Sequence, residues 1–261
     1  MADRTTSAAA TRAGISDGAW FAALSLASVI GLVLGAATGW PGAPSPCADT
    51  RCWCEVVRDG SVREIWNTVS NLPIFALAIF VAVRASWFRR RGRRRAAAIA
   101  RTFAYALWLQ ATGALLYHAS LVEWAAIVDG ASVLAIWGAL LSTSLFRVGG
   151  GSPRTLADAV AGFGIAAGAY RACIHPDIET PAFGLMLATL SLEPVATWRR
   201  PKPRRLGWLA GALVCFGASV VVWSLARPGA ALCELAFPFH ALWHVLAGLA
   251  ITAFGLHAAT D

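Results

Sequence analysis

The chain has 261 residues, of which 57% are hydrophobic and only 14% charged, and its net charge is +8. So apolar a chain is not an ordinary water-soluble domain, and it lacks the short alternating segments of a β-barrel; an all-α, polytopic transmembrane helical bundle remains. The basic residues collect between apolar stretches, so the excess charge is topological and argues for no nucleic-acid partner.

Residues 1–18 are polar, rich in Ala, Ser and Thr, with Arg4 and Arg12 as their basic side chains, and predict a disordered cytoplasmic tail. The apolar run at 19–40 is long for a signal-peptide core and reads as an uncleaved, extra N-terminal transmembrane anchor. A loop rich in cysteine and acidic residues follows at 41–65. Further apolar stretches at 66–88, 100–122, 126–146, 156–174, 181–198, 206–225 and 238–257 are each long enough to cross a hydrocarbon core of about 30 Å. Arg89, Arg90, Arg91, Arg93, Arg94 and Arg95 fill one predicted loop, Arg199, Arg200, Lys202, Arg204 and Arg205 another, and Arg147 and Arg154 flank a third. The positive-inside rule makes these loops cytoplasmic. Both termini then lie inside, and residues 41–65, 123–125, 175–180 and 226–237 lie outside. The arginine tract itself reads as a solvated charge run. Trp20, Trp40, Trp124 and Trp198, near span ends, suit interfacial anchoring. Gly164-x-x-x-Gly168 and Gly207-x-x-x-Gly211 predict close helix contacts.

Cys47, Cys52, Cys54 and Cys233 fall on the outer side, where disulfides are permitted. A Cys54–Cys233 bridge would tie the first outer loop to the segment before the last span, and Cys47–Cys52 would close a small local loop. Spacing leaves the connectivity open. Cys173 and Cys215 read as buried small apolar residues.

His240 and His244 stand one helical turn apart in the last span, so both imidazoles leave one helix face. His118 lies about five residues before a short outer turn and Asp129 about five after it, so on antiparallel helices they reach a similar depth and face one another. A lone histidine is more often a hydrogen-bonded helix contact. Ionisable groups in lipid are expensive, however, and four at one depth point to a metal. Three imidazoles satisfy a catalytic zinc and leave its fourth position for water, whose pKa falls to about 7. Asp129 would accept or orient that proton. His175 and His257 read as structural or incidental, and Glu193 as a side chain that snorkels to the interface.

Cys54-Glu55, then Glu64-Ile65-Trp66-Asn67-Thr68-Val69-Ser70-Asn71, then Gly113-Ala114-Leu115-Leu116-Tyr117-His118, then Asp129, then Phe239-His240-Ala241-Leu242-Trp243-His244 resemble, in this order, the alkaline ceramidase family. These are seven-span membrane hydrolases of a group that includes the adiponectin and progestin receptors. The likeness runs from about residue 52 to 250, so 66–258 is expected to be the seven-span hydrolase domain and 19–40 an addition to it. The resemblance implies a zinc-dependent amidase that cleaves the N-acyl bond of ceramide to a sphingoid base and a fatty acid. His118, His240 and His244 would hold the zinc, Asp129 would assist the water, and Cys54 would pair with Cys233.

Where the family has a serine that helps stabilise the attacked carbonyl, this chain has Ala114. Tyr117 points about 100° from His118 in projection, so Thr112 or a residue of another span is expected to substitute. The resemblance also implies part of a calcium site, with Glu55 and Glu64 as carboxylate ligands and Trp53 as a backbone-carbonyl ligand. Two other ligand positions fall on Cys52 and near Val57, so Asp49 or Asp59 would have to complete the usual six to eight oxygens. The plainer role for Glu64 is a carboxylate at a helix start. Asn67 and Ser70, three residues apart, share a face and are expected to tie their helix to the histidines or to a neighbouring helix.

The expectation is an integral-membrane zinc amidase with its site toward the exoplasmic, periplasmic or lumenal side. An N-acyl lipid such as ceramide would enter sideways from the bilayer, its acyl chains between the spans and its headgroup near Glu55 and Glu64. One alternative is a zinc-stabilised seven-span receptor with little or no hydrolysis, which Ala114 favours. Another is a transporter relaying protons through His118, Asp129 and His240, which would hold no stoichiometric metal and lacks an evident repeat of broken helices.

Overall fold

The computed structural model describes residues 16–50, 52–173, 179–198, 203–233 and 237–260. Their helices are α1 (Asp17–Thr38), α2 (Cys47–Thr50), α3 (Ile65–Val69), α4 (Leu72–Arg90), α5 (Arg94–Ser120), α6 (Glu123–Gly149), α7 (Pro153–Cys173), α8 (Glu179–Trp198), α9 (Pro203–Leu225) and α10 (Phe239–Ala259). Five spans, namely α1, α3 with α4, α6, most of α9 and α10, are long and apolar enough to cross a membrane. The fold is all-helical and compatible with a membrane protein. α5, α7 and α8 are as long but less apolar.

The chain breaks between α3 and α4 because Pro73, at the start of α4, has no N–H to give to the preceding turn and its ring crowds that turn's carbonyl. The Asn71 side chain answers by donating to the Asn67 carbonyl at 2.8 Å. At the far end of α5 the carbonyls of His118 and Ala119 have no partner within the helix. The N–H groups of Glu64 and Arg63 fill them, at 3.0 and 2.9 Å. Ser45 and Glu123 extend this stitching through Leu121 and Ala43. The loop that follows α1 is thus sewn over the α5–α6 turn. Disulfides Cys47–Cys52 and Cys54–Cys233 fix it further. Trp40 and Trp124 donate their indole N–H groups to the carbonyls of Ser61 and Pro41 in the same layer.

Several expectations are corrected. Ser16 to Gly18, assigned to a disordered tail, instead start α1: Ser16 caps it, and Asp17 takes Ser86, Arg89 and Arg101 as partners. The rest of that tail lies outside the described residues. The arginine loop shrinks to residues 91–93, because Arg89 and Arg90 close α4 while Arg94 and Arg95 open α5. Nor is the tract simply solvated, since Arg91 lies 4.1 Å over the Trp87 ring and Arg95 4.2 Å over Phe146. Arg204 and Arg205 belong to the first turn of α9, and Arg199, Arg200, Lys202 and His175 lie outside the described residues. Among the described residues nothing lies within 4 Å of a Cβ built at Gly164, Gly168, Gly207 or Gly211, so the small-residue stripes do not make the predicted close contacts there. On α7 the buried positions are Leu156 and Ala167 instead. Cys173 is exposed and Cys215 half-buried.

Glu193 does not snorkel. It is 5% exposed and joins three helices, accepting from Arg147 on α6 at 2.5 Å and lying 2.8 Å from His257 Nε2 on α10. Ser144 and Thr197 complete its bonds at 3.1 Å each. A buried pair broken from one side strands a charge, at a cost of about 3–5 kcal/mol. Glu193→Ala should therefore lower the unfolding temperature in detergent sharply. Arg154→Ala, which removes only the exposed Arg154–Asp158 pair, should leave it nearly unchanged. Similar melting curves for the two variants would show that the inner triad does not hold the bundle together.

Candidate metal centre

His118 ends α5, and His240 and His244 occupy the first two turns of α10. All three are buried, and one ligating atom from each lies within 4.8 Å of the others. This cluster could hold a metal ion. Ring centroids are separated by 5.2 Å (His118–His240), 4.9 Å (His118–His244) and 4.7 Å (His240–His244).

The surroundings orient each ring. His118 Nδ1 lies 2.5 Å from a Glu64 carboxylate oxygen, and His244 Nδ1 lies 2.8 Å from the Ser70 hydroxyl. With Nδ1 occupied in both, Nε2 is the nitrogen left for a ligand. Carboxylate or hydroxyl partners behind metal-binding imidazoles set tautomer and angle in this way. His240 is held by stacking: Trp53 lies 4.3 Å away at 20° and Trp243 5.0 Å away at 25°. His240 Nδ1 and Glu64 Oε1 are among the buried atoms that lack a hydrogen-bond partner among the described residues. Glu64 is fully buried, and a carboxylate there is costly without a countercharge. A cation among the three imidazoles would supply that charge, so the residues present fit a metal.

Glu64 occupies the N-cap position of α3, yet its side chain makes no capping bond. The helix-start role belongs to Glu55, whose two oxygens accept from the N–H groups of Trp66 and Asn67 at 2.7 and 2.8 Å. Burial pushes the Glu55 carboxyl above its ordinary range, and those two backbone bonds oppose the shift. Glu55, Glu64 and Trp53, matched by resemblance to calcium ligands, are thus tied respectively to α3, His118 and His240. Asn67 donates to Glu64 at 3.2 Å, and Ser70 also donates to the Asn67 carbonyl at 2.8 Å.

Asp129 sits on α6 where the helix comes close to α5: a Cβ added to Gly113 would meet the Asp129 Cα at 3.0 Å. Its carboxylate accepts from the Gln110 amide at 3.3 Å. Gln110 was not singled out by sequence, and its only sequence signal is a polar amide two turns before His118. Thr112, one of the two alternatives for the substitute hydroxyl, is bonded elsewhere. It bonds the Trp108 carbonyl at 2.9 Å and Ser28 of α1 at 3.0 Å, because two residues from Gln110 it turns to another face of α5. Ala114 is fully buried. Beside His244 and Gln110 an apolar cavity opens, lined from α4, α5, α6, α8, α9 and α10 and reaching Leu140 and Phe254.

No curated protein matches the chain's sequence. Residues 48–260 match the protein family described as Ceramidase, a range that holds every residue of this cluster and both ends of the Cys54–Cys233 bridge. The chain belongs to the ceramidase family, whose name denotes hydrolysis of an amide-linked lipid.

Proposed function

We propose that this protein is an integral-membrane, zinc-dependent amidase that hydrolyses the N-acyl bond of ceramide or a related N-acyl lipid. The observation that carries it is the buried triad His118, His240 and His244 beside an apolar cavity. An all-imidazole, nitrogen-only set suits zinc, whereas calcium prefers oxygens. When bound, zinc would act as a Lewis acid toward the amide carbonyl and make a water acidic enough to attack near neutral pH. The three imidazoles would hold it, while Glu64 and Ser70 keep the rings aimed. Asp129 would take the proton of the attacking water and return it to the leaving nitrogen. One acyl chain would lie in the cavity that His244 and Gln110 share with Leu140 and Phe254. Leu190 of α8 and Leu213 of α9, both cavity residues and both exposed, offer a sideways route from the bilayer.

In this reading α3 with α4 and α5 to α10 are the seven family spans and α1 is an eighth. The basic turns face the cytoplasm together with both termini, and the metal centre faces the exoplasmic, periplasmic or lumenal side. Calcium bound by Glu55, Glu64 and the Trp53 carbonyl would be a secondary, structural addition. Ala114 supports one competing reading, a zinc-stabilised receptor. Without a carbonyl-stabilising donor a reaction can slow by about 3 kcal/mol of barrier.

Purified protein should carry about one zinc per chain and release fatty acid from N-acylsphingosine. Chelation should abolish the release and added zinc restore it. His240→Ala should lose both metal and hydrolysis. Zinc-loaded protein inert toward every amide lipid tried would favour the receptor. A second measurement addresses the support behind His118: Glu64→Ala should weaken zinc binding roughly 10- to 100-fold with all three histidines present. An unchanged zinc affinity would mean that the carboxylate does not set the ring.

A further inference from the structure

The apolar wall of the cavity beside His244 is interrupted by an amide as well as by the hydroxyls of Thr189 and Ser219. Gln110 on α5 is 8% exposed and lines that cavity beside His244. An amide in such a place costs free energy unless its hydrogen bonds are made. Leucine or methionine would pack there without that cost.

Its bonds are made in one direction. Gln110 Nε2 donates to Asp129 Oδ1 at 3.3 Å, and Gln110 Oε1 accepts from the Ser132 hydroxyl at 3.0 Å. An ionised carboxylate only accepts, so the nitrogen must face Asp129 and the oxygen Ser132. Ser132 is 1% exposed, and its one hydroxyl proton is shared between Gln110 Oε1 and the Asp129 carbonyl 2.7 Å away. Asp129 and Ser132 stand one turn apart on α6 and share a face toward α5. Gly113 allows this reach, because any larger residue would press on the Asp129 backbone.

We propose that Gln110 is a positioning residue for amide cleavage: held by Ser132, it pins Oδ1 of Asp129 and so leaves Oδ2 as the oxygen that exchanges the proton. The inference rests on the amidase reading above. The attacking water gives one proton to Oδ2 as its oxygen bonds to the carbonyl carbon, the C–N bond breaks, and the same proton passes to the leaving nitrogen. The carboxylate ends ionised as it began. Gln110 touches neither the metal nor the scissile bond in this scheme. It acts through Asp129 alone.

A double-mutant cycle on the zinc-loaded full-length protein tests this, with N-acylsphingosine as substrate and wild type, Gln110→Leu, Asp129→Asn and the double variant as its corners. Gln110→Leu should lower kcat roughly 10- to 100-fold, the scale of a small misplacement of a reacting group. KM, zinc content and unfolding temperature should stay near wild type. In the Asp129→Asn background the same substitution should cost almost nothing more, since the carboxylate to be oriented is gone. Ser132→Ala, which leaves the cavity wall intact, should give a smaller fall in kcat and serves if Gln110→Leu does not fold. A wild-type kcat in both Gln110→Leu and Ser132→Ala, or equal losses with and without Asp129, overturns the assignment. Those results would leave the amidase reading standing, whereas wild type that hydrolyses no amide lipid removes the reading and the assignment together.

Discussion

The bond between Glu64 and His118, 2.5 Å long with neither side chain in contact with solvent, is the constraint on which the rest of the functional end depends. A buried carboxylate is tolerated only where its charge is answered. Glu64 also reaches His118 through its backbone N–H, which fills the free carbonyl at the end of α5. The loop, the helix end and the imidazole are therefore fixed as one piece. Because Glu64 precedes α3, the same piece determines where Ser70 meets His244.

The second support runs through three consecutive residues. The Trp53 ring stacks on His240, Cys54 is bonded to Cys233 ahead of α10, and Glu55 caps α3. The Trp53 ring also lies edge-on to His118, 6.4 Å away, so one short segment reaches both helices that contribute histidines. Cys54 adopts a left-handed backbone, φ 61°, which turns its neighbours in different directions from a single point. The bridge joins segments 179 residues apart in sequence, and cross-links across so long a separation restrict the unfolded chain most in the loop-closure account.

Much of this end was legible because its chemistry is local or periodic. The i, i+4 spacing of His240 and His244 and the antiparallel placement of His118 follow from helix geometry alone. Partners across the bundle were less accessible. Thr112 is two residues from Gln110, and only packing against Ser28 shows which of them faces α6. Glu193 looked like an interfacial carboxylate because its partners, Arg147 and His257, lie 46 and 64 residues away. The glycine stripes misled for a related reason: small residues permit close approach but do not require it. The division of labour between Glu55 and Glu64 was also hidden, since the path of the loop between them decides which carboxylate reaches the helix and which reaches the histidine.

The two polar clusters on α10 show why one end of the bundle is a site and the other a brace. His257 and His244 belong to the same helix: His257 lies 2.8 Å from the buried Glu193, whereas His244 meets the Ser70 hydroxyl and its neighbour His118 carries the buried Glu64. Around Glu193 both carboxylate oxygens are bonded, and Arg147 supplies the positive charge from within the chain. Around Glu64 no arginine takes that place among the described residues, and one carboxylate oxygen and one imidazole nitrogen remain without partners. Desolvated charge must be balanced in both places. Where the fold supplies the cation itself, the cluster is answered within the chain; where it supplies three imidazoles instead, the missing charge is what a metal ion would bring, and the apolar cavity beside His244 would hold a lipid chain next to it.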